Sequence, residues 1–101
     1  MDNIMLQQIM SILPDAKVAE KGECIDLIYE HSMPISTLKF FCEVERIDGY
    51  ELFKIIVEID NVLYCWEKDY EKFDVFYNKI PNDNKGKIKE PEKVTFCFEI
   101  F

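Results

Sequence analysis

The stretch Leu38–Trp66, LKFFCEVERI-DG-YELFKIIVEI-DN-VLYCW, carries the reading that decides the fold. Asp48-Gly49 and Asp60-Asn61 are hairpin-loop dipeptides, since a two-residue loop needs backbone that Asp, Asn and Gly tolerate and other residues resist. With Asp48-Gly49 as the first loop, Ile47 faces Tyr50, Val44 faces Phe53, Cys42 faces Ile55, Phe40 faces Val57 and Leu38 faces Ile59. The opposite face then sets Glu43 against Lys54 and Lys39 against Glu58, pairs of opposite charge directly across the ladder. With Asp60-Asn61 as the second loop, Ile59 faces Val62, Val57 faces Tyr64 and Ile55 faces Trp66. One register accounts for the apolar face, the charge pairs and both turns. It predicts antiparallel strands over Thr37–Ile47, Tyr50–Ile59 and Val62–Trp66.

Upstream, Leu6, Met10 and Leu13 recur at helical spacing beside Met5, Ile9 and Ile12, predicting a helix over Asn3–Leu13 with Asp2 as its cap and Pro14 as its stop. Ala16–Tyr29 predicts a further hairpin around Lys21-Gly22, with Val18 opposite Ile25 and Lys17 opposite Asp26. That register also puts Glu20 against Glu23, a like-charge pair that points to a longer loop. His31–Ser36 is a connector.

Downstream, Tyr70, Phe73, Tyr77 and Ile80 form one helical stripe and predict a second helix from Glu67 to Ile80, ended by Pro81. A strand is the competing reading, because Phe73, Val75 and Tyr77 also alternate. Pro81–Lys93 is polar, with Lys85, Lys87 and Lys89, and reads as a solvated loop. Val94–Phe101 alternates Val94, Phe96, Phe98 and Ile100 with Thr95, Cys97 and Glu99, a strand that pairs with an earlier one. The fold class is α+β: an N-terminal helix, a five- to six-stranded, mostly antiparallel meander sheet, and a second helix before the last strand, with the helices on one face.

A chain of 101 residues with 49% hydrophobic residues fills one core and one domain. Its apolar runs fall far short of the roughly 20 residues that span a bilayer. Met1-Asp2-Asn3 offers no basic residue ahead of the apolar stretch, so a secretory signal is not indicated and a cytoplasmic location is expected. Cys24, Cys42, Cys65 and Cys97 lie singly in strand-like runs without metal-knuckle spacing; reduced thiols and no bound metal are expected.

Catalytic constellations are missing from the pattern. His31 is the single histidine, Gly22, Gly49 and Gly86 are isolated turn residues, and Arg46 is the single arginine. No nucleophile elbow, phosphate-cradling loop or arginine clamp follows from these, so neither an enzyme nor a cofactor is expected. The net charge of −8 repels nucleic-acid phosphates and anionic membranes and favours a basic protein partner.

Two surfaces are candidates for that partner. One is the outer sheet face, where Phe41 opposite Ile56 forms an aromatic anchor ringed by Glu43, Glu45 and Glu58. The other is the second helix, with Glu67, Asp69, Glu71 and Asp74 around Tyr70. The expectation is a small acidic, non-enzymatic binding protein, monomeric alone. Its most concrete form is an immunity protein (antitoxin) that occludes the active site of a basic, co-encoded nuclease toxin. Two other readings remain at this point: a phage-encoded nucleic-acid mimic that inhibits a host defence nuclease, and a secretion-type chaperone or assembly subunit.

Overall fold

The computed structural model describes residues 11, 13–31, 33–43, 49–81 and 93–100. In chain order these form β1 (Lys17–Lys21), β2 (Cys24–Tyr29), α1 (Ile35–Glu43), β3 (Tyr50–Ile59), β4 (Val62–Glu67), α2 (Phe73–Lys79) and β5 (Lys93–Ile100). The predicted N-terminal helix and the lysine-rich loop lie almost wholly outside the described residues. Among the described residues no helix is long and apolar enough to cross a membrane.

The five strands form one antiparallel sheet of order β1-β2-β5-β3-β4. α+β is therefore correct, but the meander is not: the last strand inserts between the two hairpins. β5 can take that place because Val94, Thr95, Phe96, Cys97 and Phe98 are β-branched, aromatic or small, and all five are buried. On its inner face Phe96 lies between Leu27 and Ile55, and Phe98 between Ile25 and Leu52.

The largest departure from the sequence reading is α1. Residues 37–43 were expected in a strand, whereas Ile35–Glu43 is helical. Leu38 and Cys42 fit both periods, with Phe40 completing a strand face and Phe41 a helical one, and the helical one wins because it buries Phe41 completely. Phe41 packs 4.3 Å from Phe96 and 6.4 Å from Phe98, centroid to centroid. As a strand residue it would have left that contact empty. Thr37 N–H donates to the Pro34 carbonyl at 3.0 Å and closes the first turn. Gly49 still turns the chain, with φ +82°, but it leads into β3 from the helix side. The Glu43–Lys54 and Lys39–Glu58 ladder pairs do not exist; Lys54 faces Glu67 and Cys97, and Glu58 faces Leu63 and Lys93.

The β3–β4 hairpin follows the expected register, with Ile59 on Val62, Val57 on Tyr64 and Ile55 on Trp66. Asp60 and Asn61 both have positive φ (50° and 64°), as a two-residue loop of the primed kind requires. The β1–β2 loop is Gly22-Glu23 instead of Lys21-Gly22, so the register moves by two and Val18 faces Leu27. A two-residue shift keeps every side chain on its face. It also removes the Glu20–Glu23 clash, since Glu20 now faces Ile25. β3 carries a bulge between Leu52 and Lys54, which lets Leu52 and Ile55, three residues apart, both reach the core.

α2 is shorter than predicted, because Glu67 belongs to β4 and Lys68–Tyr70 form a turn. Phe76 and Ile80 are buried beneath it, and Phe73 stacks on Tyr77 at 6.0 Å. Replacing the central aromatic ring should expose this dependence. Phe96→Ala is expected to cost about 3–5 kcal/mol in chemical denaturation. Phe40→Ala, on the 44% exposed neighbour of Phe41, is expected to cost within about 0.5 kcal/mol of nothing.

Candidate functional site

The sheet-face candidates do not converge. Phe41 is fully buried and is withdrawn as a docking anchor; Ile56 is flanked instead by Thr95 and Cys65. Glu43 is exposed at the C-terminal end of α1, on the helical side of the sheet. Glu58 is half-buried on the opposite, open side, and Glu45 lies outside the described residues. What the open face does contain is a shallow concavity of about 530 Å³ bordered by Ile28, Ile56 and Leu63 and by charges of both signs. Within it Lys21 pairs with Asp26 at 3.2 Å. That mixture gives it no single electrostatic sign.

The second group does come together, at the corner where β4 turns into α2. Trp66 is the last buried residue of β4, and its indole N–H donates to the Glu71 carbonyl at 2.8 Å. This bond ties the far side of the turn to the core. Tyr70 N–H donates to the Glu67 carbonyl at 3.2 Å, and Lys68 N–H to the Phe53 carbonyl at 3.0 Å. Asp69 takes φ +71°, a backbone state in which Asp is better tolerated than most residues. The turn is thus held at three points, and its tip projects Tyr70, which is 86% exposed.

Around Tyr70 stand the exposed carboxylates of Glu67, Asp69 and Asp74, none of them in an ion pair or side-chain hydrogen bond among the described residues. Asp74 lies in the first turn of α2, where a negative charge suits the helix dipole. Glu71 has a different part: it pairs with Lys79 in the last turn of the same helix and is scaffold. Lys68 likewise pairs with Glu51. That pairing offsets the placement of Glu51 directly opposite Glu99 on β5.

The sequence pattern does not signal the bonds that brace this corner. Nothing in the spacing of Trp66 and Glu71 signals an indole-to-carbonyl bond, which depends on where the turn ends. The edge residues Val62, Leu63 and Cys65, all exposed, also went unremarked because the strand pattern alone does not reveal which strand is outermost.

The thiols offer little chemistry. Burial, reinforced by Glu43, pushes Cys42 up to about 12, and burial, reinforced by Asp26, pushes Cys97 up to about 12. Both remain protonated at neutral pH and are poor nucleophiles and poor metal ligands. Among the described residues no three His, Cys, Asp or Glu side chains converge as a metal site would require. His31 is exposed and meets only Tyr29, edge-on at 5.3 Å.

An alkaline titration should follow from the two raised thiols. In the unfolded chain they ionise near their ordinary value of 9, while in the folded chain they hold their protons to about 12. Their contribution is complete below pH 9 and is lost as pH rises between those values. The Cys42→Ala/Cys97→Ala variant is expected to show a shallower alkaline decline of its denaturation midpoint than the parent chain. Native alkylation at pH 8 is expected to reach exposed Cys65 first. No family model, no curated protein and no solved structure matches the chain.

Proposed function

We propose that this chain is a non-enzymatic, acidic binding protein that occludes a basic protein partner, in its most concrete form an immunity protein against a co-encoded nuclease toxin. The observation that carries the reading is the braced corner: an almost fully exposed tyrosine at the tip of a tied-down turn, beside three uncommitted carboxylates. The backbone that carries Tyr70 is already fixed, so docking orders only its side chain, and tyrosine is among the residues that dominate interface energetics. A nuclease needs a cationic cleft for its phosphate substrate, and the net charge of −8 draws such a cleft toward this surface. The cytoplasm, where a producing cell keeps its own nucleic acid, is the compartment in which that protection works.

A phosphate-mimicking inhibitor is the weaker reading, because Lys68 and Lys72 interrupt the carboxylates and break the even row that a mimic of a nucleic-acid backbone needs. A chaperone or assembly subunit calls for a stable dimer, which sedimentation at low and high salt separates from a monomer that pairs only with its partner.

The decisive measurement is association with the basic nuclease domain encoded beside this chain, if one is, followed by stopped flow over a range of salt. Tyr70→Ala is expected to weaken the complex by about 30-fold, the effect of a central aromatic anchor. Neutralising the corner as Glu67→Gln/Asp69→Asn/Asp74→Asn is expected to slow association about tenfold at low salt and to leave it nearly unchanged at high salt. Asn at position 69 keeps the left-handed backbone available, so the charge is removed without strain. Absence of any salt-sensitive complex with the parent chain would overturn the proposal.

A further inference from the structure

We propose that the outer edge of β4 accepts an extended, basic segment of the partner as a sixth strand, continuing the docking surface from the Tyr70 corner along the sheet. This rests on the basic-partner reading above and adds the mode of attachment. β4 is the last strand on its side of the sheet. The bond from Lys68 N–H to the Phe53 carbonyl makes that pair a hydrogen-bonded one. Such pairs recur at every second residue of an antiparallel ladder, so Trp66, Tyr64 and Val62 turn their backbone groups toward β3. Leu63 and Cys65 consequently turn their N–H and C=O groups outward, and Glu67 its N–H, its carbonyl already accepting from Tyr70 N–H; no strand pairs with these groups among the described residues.

The two edges of this sheet are unlike each other. β1 has a lysine at each end, Lys17 and Lys21, a pattern that discourages strand addition. β4 contains no lysine, no proline and no bulge, and it exposes Val62 (48%), Leu63 (61%) and Cys65. Carboxylates bracket this apolar strip: Asp60 at one end, Glu67 and Asp69 at the other, all exposed. An antiparallel strand with apolar residues in its middle and Lys or Arg at both ends complements backbone, strip and brackets together. A second copy of this chain does not. Paired antiparallel about Cys65, Leu63 of each copy meets Glu67 of the other, and two bodies of charge −8 are brought together.

The test is amide hydrogen exchange, read by NMR at fixed protein concentration, with a synthetic heptapeptide of alternating valine and threonine that carries arginine at both ends. Exchange at Leu63, Cys65 and Glu67 is expected to slow by about tenfold or more, with no change at Val62, Tyr64 and Trp66, already bonded to β3. The same peptide methylated on alternate backbone nitrogens is expected to give no protection. Cys65→Pro, which removes one outward donor and spares the ladder to β3, is expected to abolish protection as well. Should that variant fail to fold, the methylated peptide still decides.

Spectral changes confined to residues 69–74, without slowed exchange on β4, would overturn strand addition and leave the basic-partner reading standing. Equal protection by an uncharged alternating peptide would show strand addition without any preference for a basic segment, and would overturn the proposal in that part. Protection that grows with protein concentration in the absence of peptide would identify a second copy as the occupant and overturn the proposal.

Discussion

The contact of Phe96 and Phe98 with Phe41 is the interaction on which the two hairpins depend. β1–β2 and β3–β4 share no ladder with each other; each is joined only to β5. The rings of β5 are covered by α1, and α1 is positioned by the ring it buries. A strand with both neighbours occupied and its inner side roofed by a helix has its backbone groups paired and its central aromatics fully buried. The outward residues of the same strand, Thr95 and Cys97, are buried as well. Stability and geometry therefore converge on a segment that contributes nothing directly to the proposed docking surface.

The division of labour between the two sides of the sheet follows from that packing. The described helices pack on one side, and no described helix or strand covers the other side or the β4 edge. The sheet face shows mixed charge and a shallow depression, whereas the acidic corner is built from one continuous piece of chain, residues 66–74. Continuity matters for rigidity. Three hydrogen bonds within or next to this segment, and the burial of Trp66 at its root, restrain a tip whose side chain has almost no packing of its own.

How much of this was legible in the sequence depends on whether a local pattern had one solution or two. Asp60-Asn61 has one: both residues must accept positive φ, and flanking strands of matching polarity leave a single register. Pro81 after a helical stripe likewise marks the end of α2. Leu38–Cys42 has two solutions, since its apolar residues suit a strand against β3 and a helix over β5 equally well. Only the tertiary competition for the space above Phe96 separates them. The choice propagated to the site: a strand there makes Phe41 an exposed anchor, a helix makes it core. The placement of Glu67 to Asp74 does not depend on that choice, because the segment is local and needs no long-range pairing to assemble. The brace from Trp66 to Glu71 was invisible for the opposite reason, as it forms only once β4 is seated.

The central position of β5 also bears on how the chain reaches this state. Both hairpins close short loops and can form early, but neither can join the other until the strand that comes last in chain order enters between them. Before that insertion the two small sheets present the two edges, on β2 and β3, that β5 later fills, and an inner face without its phenylalanines. A protein so arranged is most vulnerable to aggregation before the central strand is inserted, not after it.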